Sequence, residues 1–132
     1  MKVFLDTNVL ASAAATRGLC ADVLREVLSF HELIVSEAVL KELAKVLKDK
    51  LKVPSFLITD FLDFLTHDAL VAEPGGRPIL ELKDKDDIVI VAAALSARAD
   101  LFVTGDKELL ALGKVKNLTI ITPRAFWERI KA

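Results

Sequence analysis

One cysteine, Cys20, stands among 132 residues. That excludes an intrachain disulfide framework and a cysteine-based zinc site, and it suits a reducing cytoplasm. Within a helical pattern Cys20 reads as a small core residue. Long apolar runs are also missing. None approaches the roughly 20 residues that cross a bilayer, and Met1 is followed by charged Lys2 and a short strand-like run, unlike a secretory signal. A cytoplasmic protein without membrane contact is expected. Neither sign of charge dominates: 18 Lys and Arg face 19 Asp and Glu, for a net charge of −1. A nucleic-acid partner would therefore need a local basic surface, or phosphate affinity supplied by bound metal. Aromatics are few. The seven Phe and Trp127 fall in apolar patterns and read as core, not as base-stacking platforms. Repeats, low-complexity tracts and linkers are absent, so residues 1–132 read as one domain with a well-filled core, 53% of the chain being hydrophobic.

What is present is an alternation of short β-rich runs with longer helical ones. The strands expected are Lys2–Leu5, Leu33–Val35, Ala69–Ala72, Leu101–Val103 and Leu118–Ile121. Helices are expected near Val9–Ala15, Cys20–Phe30, Glu37–Lys50, Ser55–Thr66, Asp87–Ala99 and Lys107–Leu110. A last one should run from Pro123 to Lys131, with Thr122 as its cap. Such alternation implies right-handed crossovers and a parallel sheet covered by helices on both faces. Pro74-Gly75-Gly76-Arg77-Pro78 must be a loop. Ile88–Val91 is β-branched, but the run continues through Ala92–Leu95, a length that suits a buried helix better than a strand.

Isolated carboxylates stand out against this frame. Asp6 ends the run Val3-Phe4-Leu5, and Asp106 follows Leu101-Phe102-Val103 in Thr104-Gly105-Asp106. Acids just beyond buried strands lie on the rim where open parallel sheets bind ligands. Each is equally placed to cap the helix that follows it. Glu42 flanks the apolar stripe Val39, Leu40, Leu43, Val46 and Leu47, apart from Lys41, Lys45 and Lys48, and near the rim end of its helix. An i,i+3 pair with Lys45 is its structural alternative. Asp84, Asp86 and Asp87 open the buried helix, where acids are favourable for dipole reasons alone. Asp87 is closest to the apolar segment and best placed to face inward; Asp84 suits a cap and Asp86 a solvated acid one layer out. Four clustered acids repel one another unless a cation neutralises them. Oxygen donors without a convergent base call for a hard divalent ion and metal-assisted chemistry on phosphate.

These residues resemble the PIN-domain family of metal-dependent ribonucleases. Leu5-Asp6-Thr7-Asn8-Val9-Leu10 resembles the first family motif, and Ser36 followed by Glu42 the second. Asp84-Lys85-Asp86-Asp87, running into Ala92-Ala93-Ala94 and Ala99-Asp100, is similar to the third, and Val103-Thr104-Gly105-Asp106 to the fourth. The last phrase resembles the VapC-like toxin branch of bacterial and archaeal toxin–antitoxin pairs. The resemblance implies a three-layer α/β sandwich, with a five-stranded parallel sheet of order 3-2-1-4-5 flanked by helices. It implies that Asp6, Glu42, Asp87 and Asp106 hold Mg2+ or Mn2+ and carry catalysis, with either Asp86 or Asp87 as the third acid. Asn8 and Thr104 would orient the acids by hydrogen bonding, with Ser36, Asp84 and Asp86 around them. It further implies an RNA substrate, a homodimer and a cognate antitoxin.

A ribonuclease needs cations near its acids. Arg17, Lys83, Lys85 and Lys107 are placed to contact substrate phosphate, and the Lys41–Lys52 group ranks second, as a solvated helix face. Two other functions fit less well. A phosphatase with Asp6 as nucleophile needs a second acid two residues on, where Asn8 stands. A catalytically inert interaction or RNA-binding module has no need of all four acids.

Overall fold

The computed structural model describes residues 1–131 except 77 and 79. The elements run β1 (Lys2–Leu5), α1 (Thr7–Ala15), α2 (Leu19–Phe30), β2 (Glu32–Ser36), α3 (Glu37–Asp49), α4 (Ser55–His67) and β3 (Leu70–Ala72). Then follow α5 (Lys85–Ser96), β4 (Leu101–Val103), α6 (Lys107–Leu112), β5 (Lys114–Val115), β6 (Leu118–Ile121) and α7 (Pro123–Lys131). Five of the seven helices start where a polar side chain satisfies free N–H groups, whereas α2 and α4 follow Gly18 and Pro54 without a side-chain cap. Asp6 Oδ1 accepts from Thr7 N at 2.8 Å, so α1 begins at Thr7, two residues before the apolar pattern does. Ser36 Oγ caps α3 at Val39 N, Asp84 Oδ1 caps α5 at Asp86 N, and Thr122 Oγ1 accepts from Ala125 N. The Asp84 cap starts α5 at Lys85, and the Ile88–Leu95 run is helical as its length predicts.

The strands form one sheet of order β3-β2-β1-β4-β6-β5, parallel throughout except where β5 runs against β6. It lies within a three-layer α/β sandwich. The parallel part is the expected five strands in the expected order; β5 is additional. Gly113 adopts φ 66 and turns the chain back after α6, so that Lys114 and Val115 pair with Thr119 and Leu118. Two residues without an apolar run leave no strand signal in the sequence.

The centre of the sheet is apolar on both faces, as covered parallel strands require. Val3, Phe4 and Leu5 of β1 and Phe102 and Val103 of β4 are fully buried. Phe4 and Phe102, paired in register, stack at 5.0 Å between ring centroids. Helix α1 packs on α2 and on α3, α7 packs on α2, and α4 on α3. Pro74, Gly75, Gly76 and Pro78 lie outside helix and strand as their composition predicts, while Arg77 falls outside the described residues. Gly75 sits against α5, where a Cβ would come within 2.3 Å of the Ala92 carbonyl oxygen. Among the described residues no helix is long and apolar enough to cross a membrane.

Candidate active site

The chain builds β1, β2 and β3 outward in one direction, then resumes with β4 on the other side of β1. The crevice beyond the C-terminal ends of β1 and β4 is thus the switch point at which open α/β sheets bind ligands. Asp6 leaves β1 there, its N–H still bonded to Val103 O at 3.0 Å, and Thr104 to Asp106 leave β4 beside it.

Both carboxylates cap helices, and both keep a second role. Asp6 is 4% exposed. Its Oδ2 accepts from Thr104 Oγ1 at 2.8 Å and from Asn8 Nδ2 at 3.1 Å. Asn8 Nδ2 also reaches Thr104 Oγ1 at 3.2 Å, and its Oδ1 accepts from Gly105 N at 2.9 Å. The same Thr104 hydroxyl accepts from Asp106 N at 3.0 Å. Asp106 Oδ1 then closes α6 through Glu108 N and Leu109 N, at 2.8 and 3.1 Å. Asn8 acts here as a donor to Asp6, and a carboxamide is no general acid, which removes the phosphatase arrangement.

Glu42 and Asp87 arrive from helices. Ser36, buried, serves as the α3 cap that sets the helix on the rim. The Glu42–Lys45 pair that the spacing allows is not formed; Lys41 pairs with Glu37 at 2.9 Å instead. Burial raises the Glu42 carboxyl above its ordinary range, and Asp6, Asp84 and Asp86 raise it further. The Thr7 hydroxyl, buried and without a partner in hydrogen-bonding geometry, still approaches Glu42 closely enough to offset part of that rise. Asp87 is half-buried and pushed up to about 7, first by burial and then by Asp84, Asp106, Asp6 and Glu42. Asp6 is raised as well, burial outweighing its donors and Asp106 adding to it. The four expected acids therefore share one field. Of the two aspartates left open, Asp87 feels Asp6, Glu42 and Asp106, whereas Asp86 is exposed and lines a cavity with Glu42, Lys41 and Lys45.

Among the described residues no three Asp, Glu, His or Cys close into a metal cage. The cluster is electrostatically coupled but open. An all-oxygen donor set of this kind fits a hard cation that keeps much of its own water, as Mg2+ does, and not a dehydrated cage. The three raised carboxyls owe their shift first to burial and then to neighbouring acids.

Of the expected cations, Lys107 follows Asp106 directly and is exposed; Lys85 is exposed in the first turn of α5, beside Gly75 and Gly76. Lys83 is exposed too, and its backbone N–H donates to Glu108 Oε1. Arg17 is exposed and follows Thr16, the C-cap of α1. Thr7 had no signal of its own in the sequence, standing as an ordinary first helical residue.

The model of the PIN domain family matches residues 2–108. No curated protein matches the chain. Among solved structures, the chain is similar to one in VapBC2 from Rickettsia felis, solved bound to a DNA fragment from their promoter. The identity is 18% and the TM-score 0.65, over 92% of this chain and 98% of that one. It is likewise similar to a chain of VapBC-1 from nontypeable Haemophilus influenzae, at 20% identity and TM-score 0.63, over 94% of this chain and 99% of the other. At such identities the likeness is one of fold.

Proposed function

The chain belongs to the PIN-domain family, and on that premise we propose that it is a metal-dependent endoribonuclease, the toxin of a toxin–antitoxin pair. The observation that carries this reading is the convergence of Asp6, Glu42, Asp87 and Asp106 on the β1–β4 switch point, each raised carboxyl raised in part by the others. These four would hold Mg2+ or Mn2+. When bound, such an ion acidifies a water for attack on phosphorus and offsets charge on the leaving oxygen.

The chain's own residues do the rest. Thr104 and Asn8 donate to Asp6 Oδ2 and the Thr7 N–H to Oδ1, so that one carboxylate is held in a single orientation. Capping engages Asp106 through Oδ1 alone, so its Oδ2 takes no part in the cap. Asp87, protonated up to about neutral pH without a cation, would have to release that proton to serve as a metal ligand. Exposed Lys85 and Lys107 stand beside the acids to receive substrate phosphate.

The similarity to chains of VapBC structures supports a cognate antitoxin. So does an apolar surface on α4, where Phe56, Leu57 and Phe64 are 67%, 46% and 57% exposed; a homodimer would draw on surface of the same kind. The deciding experiment is cleavage of total RNA by the purified protein in Mn2+ or Mg2+, with EDTA and Asp6→Asn as controls, alongside calorimetric Mn2+ binding. Metal-dependent cutting lost in Asp6→Asn is expected. Neither cutting nor metal binding would leave an inert module.

A further inference from the structure

We propose that the groove between α3 and α5 is the track by which single-stranded RNA reaches the acids, with Lys41 and Lys45 holding the phosphate next to the one cleaved; this rests on the nuclease reading above. Ala38, Lys41, Glu42 and Lys45 share one face of α3 through their i, i+3, i+4 and i+7 spacing. Across from them α5 presents Asp86, Val89 and Ile90, and the space between is about 390 Å³. Glu42 belongs to the acid cluster, so the groove opens directly onto it.

The groove's chemistry matches a single strand. A strand offers a charged backbone on one side and flat, apolar base faces on the other. Lys41 and Lys45 answer the first. Val89, 48% exposed on a helix whose middle is otherwise buried, answers the second together with Ala38 and Ile90. A duplex keeps its bases turned inward and would leave that apolar floor uncovered. Both cations are available. Lys41 pairs only with Glu37, the two side chains being 76% and 75% exposed, a geometry worth little in water. Lys45 makes no ion pair among the described residues. Helix neighbours at i,i+4 stand about 5–6 Å apart at Cβ, so both ammonium groups reach one phosphate. They also offset Glu42 and Asp86, whose charge would otherwise repel the incoming backbone.

The test is equilibrium binding of a fluorescein-labelled, mixed-sequence, single-stranded oligoribonucleotide across a salt series, with cleavage measured in parallel. Lys41→Ala/Lys45→Ala should weaken binding several-fold and make the slope of log K against log salt shallower by about 0.7, the value for one phosphate contact to a single strand. KM for RNA should rise with kcat kept, and hydrolysis of bis(p-nitrophenyl) phosphate, which has no strand to hold, should not change. Lys48→Ala/Lys50→Ala removes the same charge from α3 and its cap outside the groove and should leave the slope as it was. An unchanged slope in the first pair, or an equal loss in the second, overturns the track while leaving the nuclease intact. A parent protein that neither binds nor cuts RNA fails the nuclease reading itself, and the track with it.

Discussion

The Thr104 hydroxyl donates to Asp6 Oδ2 at 2.8 Å across 98 positions of sequence, tying the ends of β1 and β4 together. It also accepts from Asp106 N, so one oxygen orients two acids. Thr104→Ala leaves a buried carboxylate oxygen and an N–H short of a partner, at about 1–3 kcal/mol of stability in urea unfolding. RNA cleavage should fall roughly 10–100-fold, the usual effect of losing a group that orients metal ligands. Thr104→Ser keeps the hydroxyl and should restore both. Equal activity in the two variants would remove the hydroxyl from the site.

Asp87 makes stability depend on pH. In the metal-free folded state it holds its proton to about 7, while the unfolded chain releases it near 3.8. Between these values the folded state binds more protons, so stability is lost as pH rises through that window. Burial and like charge raise Asp6 and Glu42 in the same sense. In EDTA, Asp87→Asn should melt above the parent at pH higher than 7, and the difference should shrink toward pH 4. Mg2+ should raise the parent's melting temperature more than the variant's. A variant that melts lower at every pH would show that Asp87 is a paired structural group.

Asp106 separates capping from chemistry. Asn caps as well as Asp, so Asp106→Asn should keep α6 and melt no lower than the parent in EDTA while losing cleavage and metal affinity. Asp106→Ala should lose the cap too, at about 0.5–2 kcal/mol. Retained cutting in Asp106→Asn would reduce Asp106 to a cap.

Thr7→Val removes a buried hydroxyl that has no hydrogen-bond partner. A shape-preserving apolar replacement there should be neutral or slightly stabilising. If that hydroxyl serves Glu42, Mn2+ affinity measured calorimetrically should fall even as stability holds. Unchanged affinity would leave Thr7 a helix start and nothing more.

The acids were legible because their setting is written locally. Asp6 directly follows three apolar residues and Asp106 follows three more by way of Thr104-Gly105, and strand ends in a parallel sheet share one rim. Asp87 stood out from Asp86 by its nearness to the apolar run of α5, and it is the one that feels Asp6, Glu42 and Asp106. The misses have equally physical causes. β5 depends on one left-handed glycine and two residues, too short for a hydrophobic period. Thr7 reads as an ordinary first helical residue, and only the fold brings its hydroxyl toward Glu42. Lys41 and Lys45 read as a solvated helix face in the sequence, and the cavity they line with Glu42 and Asp86 becomes visible only once α5 is packed opposite α3.

The two halves of the site stand on very different supports. Asp6 and Thr104 hang from β1 and β4, the most deeply buried strands, and their backbone N–H groups bond to Val103 and Ile121. Such amides exchange with solvent only when the whole domain opens. Asp84, Lys85 and Asp86 lie exposed in and before the first turn of α5, where fraying is inexpensive. One wall of the cleft is consequently as durable as the protein itself, and the other can yield many times before the fold is lost. Deuterium uptake would register that asymmetry as slow amides at 6 and 104 against fast ones at 84–87.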